Sequence, residues 1–361
     1  MRGLLDDHAH PFPLQADRLD LSAISLDVGA GSARRRAVSG GTRLAVEAVR
    51  VRLAHFLGAQ PDEVEAVRDA RAAADWPAYV QALFADAGVE EMLLDGGPVR
   101  VDVAGQEAIS GVPTRELLRL EALVDPMLEA GAEADDVLAQ VALRVAEGAQ
   151  TGVAGLKTAL AYRTGLDVDP TTSLEQASRS TAGSEPVRRR AKALRDLVLV
   201  RTLEQCADLG LPIQVHTGFG DSDLRLRDSE PVLLDDLLRT PVGAAASVVL
   251  IHGGFPWHEQ VAYLAAVRPN VYAEYSLGNL MSPATTADRL LRIVDLAPTD
   301  RILLGSDGHG SPETHWSAIW VLREAWDEVR GRLGGTVRIG WLDEVEQRIF
   351  AGNARDLYLG G

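Results

Sequence analysis

The sequence has little of several things. It holds one cysteine, Cys206, in 361 residues, so no internal disulfide can form, and a lone thiol on a helical stretch with no adjacent base reads as a packing residue. Aromatic residues are only 5% of the chain, too few for a surface on which bases stack. Positive charge is also short, with 36 Lys+Arg against 52 Asp+Glu and a formal net charge of −16. Together these features exclude nucleic acid as a partner. Long hydrophobic runs are missing as well: the longest, such as residues 247–251, fall far below the roughly 18 to 20 that a membrane helix needs. The first residues reach acids and histidines before any signal-like apolar stretch, so the expected compartment is the cytoplasm.

What is present is enough apolar material for a large core, 46% hydrophobic against 24% charged. Short apolar runs alternate with amphipathic stretches, the pattern of repeated β-then-α units around a parallel sheet. The runs at residues 3–6, 91–95, 118–122, 153–157, 212–216, 247–252, 271–275 and 301–306 are eight candidate strands. Helical periodicity recurs between them, as at 191–209, 256–267 and 311–333. The expectation is an α/β fold, a (β/α)8 TIM barrel, with residues 1–361 as a single domain. Two stretches exceed a minimal barrel and read as helical insertions at its C-terminal face: residues 11–80, with Gly29-Ala30-Gly31-Ser32 and a helical pattern from Thr42 to Leu57, and residues 164–190, ending in Arg188-Arg189-Arg190. The arginine run reads as a solvated helix face.

The histidines fall at informative places. His8 and His10 follow the first candidate strand, His216 ends the fifth, His252 ends the sixth, and Asp307 follows the eighth. In a barrel all strands point their C-terminal ends at one rim, so these residues converge on one small volume. His-x-His on an extended segment puts both imidazoles on one face. Imidazoles with a carboxylate suit Zn²⁺ or a similar first-row ion such as Mn²⁺ or Fe²⁺. Lys157 closes an otherwise apolar strand, where an ammonium is costly to bury. It is open to three readings: a carbamate bridging two ions, a cation holding a substrate carboxylate, or an ammonium paired with Asp307 or another acid. Arg119 and Glu121, taken as same-face residues of the third strand, most simply pair with each other or with a neighbouring strand.

At these positions the sequence resembles the amidohydrolase superfamily. Asp7-His8-Ala9-His10, Gly155-Leu156-Lys157, Gln214-Val215-His216, Leu250-Ile251-His252 and Gly305-Ser306-Asp307 match its strand-end motifs in order, and Asn353-Ala354-Arg355-Asp356-Leu357-Tyr358 is similar to its C-terminal tail. The longer stretches at 157–166, 216–221 and 306–314 resemble the amidohydrolase domain of FluG and nodulin-type fusions with glutamine synthetase, here expected in its stand-alone form. The resemblance implies that His8, His10 and Asp307 hold one divalent ion. His216 joins that ion, or holds a second with His252 if Lys157 is carbamylated; with a single ion, His252 is free to polarise the scissile carbonyl. Bound water is then the nucleophile, and Asp307 its general base and the acid toward the leaving nitrogen. Arg163 and Tyr162 are candidates for holding and orienting a substrate carboxylate, and His309 for a further substrate hydrogen bond.

The implied activity is hydrolysis of a C–N bond in a small carboxylate-bearing substrate such as a γ-glutamyl amide. Non-oxidative decarboxylation on the same ligand set is the alternative reading. A non-catalytic, metal-binding partner of a glutamine-synthetase-like protein is a second. Such a protein is also the expected functional link, and self-association of the chain is left open.

Overall fold

The computed structural model describes residues 3–24, 43–182 and 185–360. Eight parallel strands lie side by side in chain order: β1 Leu4–Ala9, β2 Val89–Asp95, β3 Thr114–Arg119, β4 Gly155–Thr158, β5 Ile213–His216, β6 Val248–Ile251, β7 Val271–Tyr275 and β8 Ile302–Leu304. The segment after β8 closes back on β1: Asp307 N–H donates to the His8 carbonyl and His10 N–H to the Gly308 carbonyl, both at 2.8 Å. With helices between the strands, this is the expected (β/α)8 barrel.

Side-chain alternation divides each strand between two apolar layers. In β6, Val248 and Leu250 join the large cluster between strands and helices, whereas Val249 and Ile251 join a smaller inner cluster with Leu5, Leu93, Leu117 and Leu303. Burying each such side chain contributes about 1.5–3 kcal/mol. Tyr358, on the final helix Asn353–Leu359, belongs to the inner cluster, and its hydroxyl accepts from Gln214 Nε2 at 2.8 Å. The inner layer is therefore a solid floor, and the strand ends above it are where polar chemistry can sit.

Local signals set the surrounding helices. The helix Trp76–Ala87 begins at Asp75, whose side chain accepts from Ala78 N–H, carries a proline in its first turn, and ends at Gly88 in the left-handed region, φ 70°. A cap of this kind is worth about 1 kcal/mol. This helix leads directly into β2, so the stretch beyond the minimal barrel ends near residue 75 and not at 80. That first insertion contributes the helices Leu44–Leu57 and Val64–Ala74, and the second contributes Leu174–Thr181. Gly29-Ala30-Gly31-Ser32 and Thr42 lie outside the described residues.

Two sequence expectations need correcting. The third strand is Thr114–Arg119, not 118–122, because the apolar positions after Leu118 already follow helical spacing and the helix Leu120–Glu129 starts there. Arg119 and Glu121 consequently do not share a strand face; Arg119 takes the other expected course and pairs with Asp95 on the neighbouring β2. The arginine run is a solvated face only at Arg188, which is exposed and pairs with Asp223: Arg189 donates to the carbonyls of Arg163 and Asp223, and Arg190 to that of Leu128, tying the second insertion to the rim.

Candidate active site

Strict alternation would send His8 outward, because Leu4 lies in the outer layer and Leu5 in the inner one. The register between β1 and β2 shifts between Asp6 and Ala9, and such an irregularity re-aims the side chains around it. His8 is fully buried and its Nδ1 lies 2.7 Å from Gln214 Oε1. The Gln214 amide is oriented by donation from Nε2 to the Asp7 carbonyl, 2.7 Å. Its oxygen must therefore accept, His8 Nδ1 carries the proton, and Nε2 presents a lone pair.

His10 reaches the same result by another route. Its Nδ1 is 2.8 Å from the Asp95 carbonyl, which can only accept, so Nδ1 carries a proton and Nε2 is the nitrogen turned to the site. Both Nε2 atoms lie 3.3 Å from Asp307 Oδ1, a buried oxygen with no hydrogen-bond donor. Burial, reinforced by Lys157, pulls the His8 imidazole down to about 4, so it stays neutral at ordinary pH. Against the upward push of burial, the surrounding imidazoles hold Asp307 well below the usual carboxylate range. Against the downward push of burial, Asp307 and Asp95 raise the His10 imidazole above its ordinary value, so without a cation His10 tends to hold a proton toward the carboxylate. A cation at this point would displace that proton and meet three electron-pair donors. That donor set fits a divalent cation, and His8, His10 and Asp307 lie within 4.8 Å of one another by their ligand atoms.

His252 and Asp307 reach the site through backbone conformation. Ile251 faces inward, so the next residue would face out, but His252 has φ 68°, and Asp307 has φ 49°. Left-handed non-glycine residues cost of order 1–3 kcal/mol, and each is held in place: His252 N–H donates to Glu274 Oε2 at 2.7 Å and Asp307 N–H to β1. His252 Nδ1 is 2.8 Å from Ser276 Oγ, whose hydroxyl donates to Glu274. His216 Nε2 faces the Phe219 carbonyl at 3.2 Å. The two outward nitrogens are therefore donors, leaving His252 Nε2 and His216 Nδ1 lone pairs facing each other at 3.0 Å. Burial lowers both imidazoles well below their ordinary value.

Lys157 is fully buried, with Nζ 3.3 Å from His8 Nε2 and 3.6 Å from Asp95 Oδ2. Burial lowers its amine to about 8, against the opposing pull of Asp95. Its acid partner is therefore Asp95 and not Asp307. Asp95 also takes both Nε and Nη2 of Arg119. Glu121, assigned to that same strand by periodicity, instead accepts from Thr158 Oγ1 and Ala159 N–H at 2.7 and 2.9 Å, fastening the turn after β4. Sequence reading gave no role to Asp95, Gln214, Ser276 and Glu274. Asp95 left a signal as an acid at a strand end, and Gln214 as the first residue of the motif that ends in His216.

Above these groups opens a cavity of about 750 Å³ whose lining includes Lys157, Tyr162, Arg163, His216, His252, Asp307 and His309. All the residues singled out from sequence therefore meet at one place. Arg163 gives Nε and Nη2 to Asp125, at 2.8 Å, and Arg195 shares that same carboxylate, so two guanidiniums stand against one acid. Tyr162 Oη accepts from Asp221 N–H at 3.0 Å, and its ring packs against His216 with centroids 4.8 Å apart. A side chain at Gly220 would place its Cβ 1.9 Å from Tyr162 Oη, so only glycine admits this contact. His309 Nδ1 is 2.8 Å from the Asp307 carbonyl, which leaves its Nε2 as an acceptor.

Comparison with known proteins bears on this arrangement. The amidohydrolase family model matches residues 6–359. Protein fluG of Emericella nidulans is 32% identical over 200 residues, which is 50% of this chain and 22% of that protein; the chain thus matches about a fifth of the length of that relative. A Lactobacillus casei structure described as a metal-dependent hydrolase superposes with a TM-score of 0.87 at 22% identity, covering 99% of this chain and 96% of that one. Uronate isomerase of Thermotoga maritima superposes with a TM-score of 0.70 at 15% identity, covering 99% and 94%. At these identities the structural likenesses establish the fold.

Proposed function

Since the chain belongs to the amidohydrolase family, and is with it a metal-dependent hydrolase, we propose that it cleaves the C–N bond of a small carboxylate-bearing amide, such as a γ-glutamyl amide. The observation that carries this reading is the convergence of two imidazole Nε2 atoms on one buried carboxylate oxygen beneath an open cavity.

His8, His10 and Asp307 would hold one divalent ion, with zinc best suited to two nitrogens and an oxygen. Such an ion supplies Lewis acidity and lowers the pKa of bound water toward neutrality. Asp307, kept ionised by its neighbours, takes the proton from the attacking water and delivers it to the leaving nitrogen. His252, fixed through Ser276 and Glu274, stands opposite with His216 and would polarise the scissile carbonyl in the form that carries a proton on Nε2. Lys157 next to His8 adds positive charge where oxyanion character develops. Farther out, the excess positive charge of Arg163 and Arg195 over Asp125 favours a substrate carboxylate, with the Tyr162 hydroxyl free to donate and His309 Nε2 to accept.

The test is turnover by metal-loaded protein on a panel of γ-glutamyl amides, following amine release. Activity that depends on metal and disappears in H8A and D307N supports the reading. Release of CO₂ from a carboxylated substrate with no amine formed would replace it with the decarboxylase reading.

A further inference from the structure

The acids around the cavity differ in one respect. Glu121 is saturated by Thr158 and Ala159, Asp125 is claimed by Arg163 and Arg195, Asp223 pairs with Arg188, Asp307 faces His8 and His10, and Glu129 stands exposed at the edge, where water solvates it. Asp221 lines the same cavity, is half-buried, and its carboxylate has neither an ion pair nor a hydrogen bond among the described residues. Its position is nevertheless fixed, because its own N–H is held by Tyr162 Oη and the preceding Gly220 is pressed against that hydroxyl. A loop this constrained does not hold a half-desolvated, unpaired carboxylate in a cavity without cost. A cation arriving with the substrate relieves that cost.

We propose that Asp221 is the anchor for an ammonium group of the substrate, so that the site selects a zwitterionic α-amino-acid head rather than a simple dicarboxylic acid amide. Tyr162 links the two charge-reading elements: it sits next to Arg163 in sequence and holds Asp221 through space. The carboxylate of the head is drawn to the Arg163 side and the ammonium to Asp221, which turns the head relative to the metal ligands and sets which carbonyl is presented. This assignment rests on the hydrolase reading above for the end of the substrate that reacts, but not for its own test.

The test is calorimetric binding of L-glutamate, glutarate and 4-aminobutyrate to metal-loaded protein, with D221N and D221A compared with the parent and folding checked by thermal melts. L-Glutamate is expected to bind at least about tenfold more tightly than glutarate, as a charge-assisted hydrogen bond warrants. Both variants should weaken L-glutamate and 4-aminobutyrate by about tenfold while changing glutarate much less. Equal binding of L-glutamate and glutarate, no binding of L-glutamate, or equal losses for all three ligands in a folded variant would overturn the assignment. Cleavage of γ-glutamyl anilide is scored separately. Cleavage without ammonium discrimination removes the role of Asp221 and leaves the hydrolase reading; discrimination without cleavage does the reverse.

Discussion

Asp6 and Ser306, 300 positions apart, are joined by two hydrogen bonds: Asp6 Oδ1 accepts Ser306 N–H at 2.7 Å and Asp6 Oδ2 accepts its hydroxyl at 2.5 Å. Ser306 Oγ in turn accepts Gly308 N–H at 2.9 Å. The turn that carries Asp307 is thereby stapled to the strand that carries His8. Without the hydroxyl, the strained backbone at Asp307 loses half of its support. S306A is expected to keep the fold but bind metal about 10- to 100-fold more weakly, the usual range for a group that orients a ligand, as read by competition with a chelator.

Replacing the ligands themselves acts more severely. D307N removes a ligand charge and the proton acceptor together, and kcat should fall by about 100- to 10,000-fold or more, with metal content dropping below that of the parent. H10N should lose metal while leaving the barrel intact, since His10 lies beyond the end of β1 and is partly exposed. Unchanged metal content in both variants would refute the assignment of this site.

Lys157 lies against His8 with its amine lowered to about 8. One ion per chain and an unmodified Lys157 are expected in metal-replete protein, measured by elemental analysis and native mass spectrometry. Two ions with a carbamate mass increment would instead make Lys157 a bridge and give His216 and His252 the second ion.

His258 titrates with folding, away from the metal ligands. Its side chain is buried on the helix His258–Val267, with Nδ1 2.8 Å from the Gly253 carbonyl, and burial lowers it to about 4 from an ordinary 6.5. Below pH 6.5 the unfolded chain takes up a proton that the folded chain refuses until about pH 4. Stability should therefore fall as pH drops through that window, by at most about 3 kcal/mol from this group. H258N, which retains a donor for Gly253, should flatten that part of the pH dependence of urea unfolding.

Cys206 is buried on the helix Lys192–Leu209, and burial pushes its thiol up to about 12. With so little thiolate, alkylation by iodoacetamide at pH 8 should be very slow in the folded protein. It should become rapid in denaturant, making Cys206 a reporter of global unfolding.

The sequence alone determined the barrel and grouped the histidines, lysine and aspartate that follow its strands. Apolar runs of strand length separated by helical periodicity allow few other folds, and parallel strands deliver whatever follows them to one rim, so His8, His10, His216, His252, Lys157 and Asp307 could be grouped before any coordinates. Tertiary structure decided how each group is used. The start of the third strand was misplaced because Leu117, Leu118, Leu120 and Val124 satisfy both periods, and only pairing with β2 and β4 chooses between them. Arg119 consequently found Asp95 and not Glu121. The inward aim of His8, His252 and Asp307 depends on a register shift and two positive φ angles, which non-glycine residues adopt only when distant hydrogen bonds hold them there. The half-buried, unpartnered carboxylate of Asp221 is visible only by elimination, once the other buried acids around the cavity have been matched with their partners and Glu129 has been placed at its exposed edge. Periodicity records which face a residue prefers; pairing across 100 to 300 positions, which fixes tautomers, charges and partners, is a property of the closed barrel.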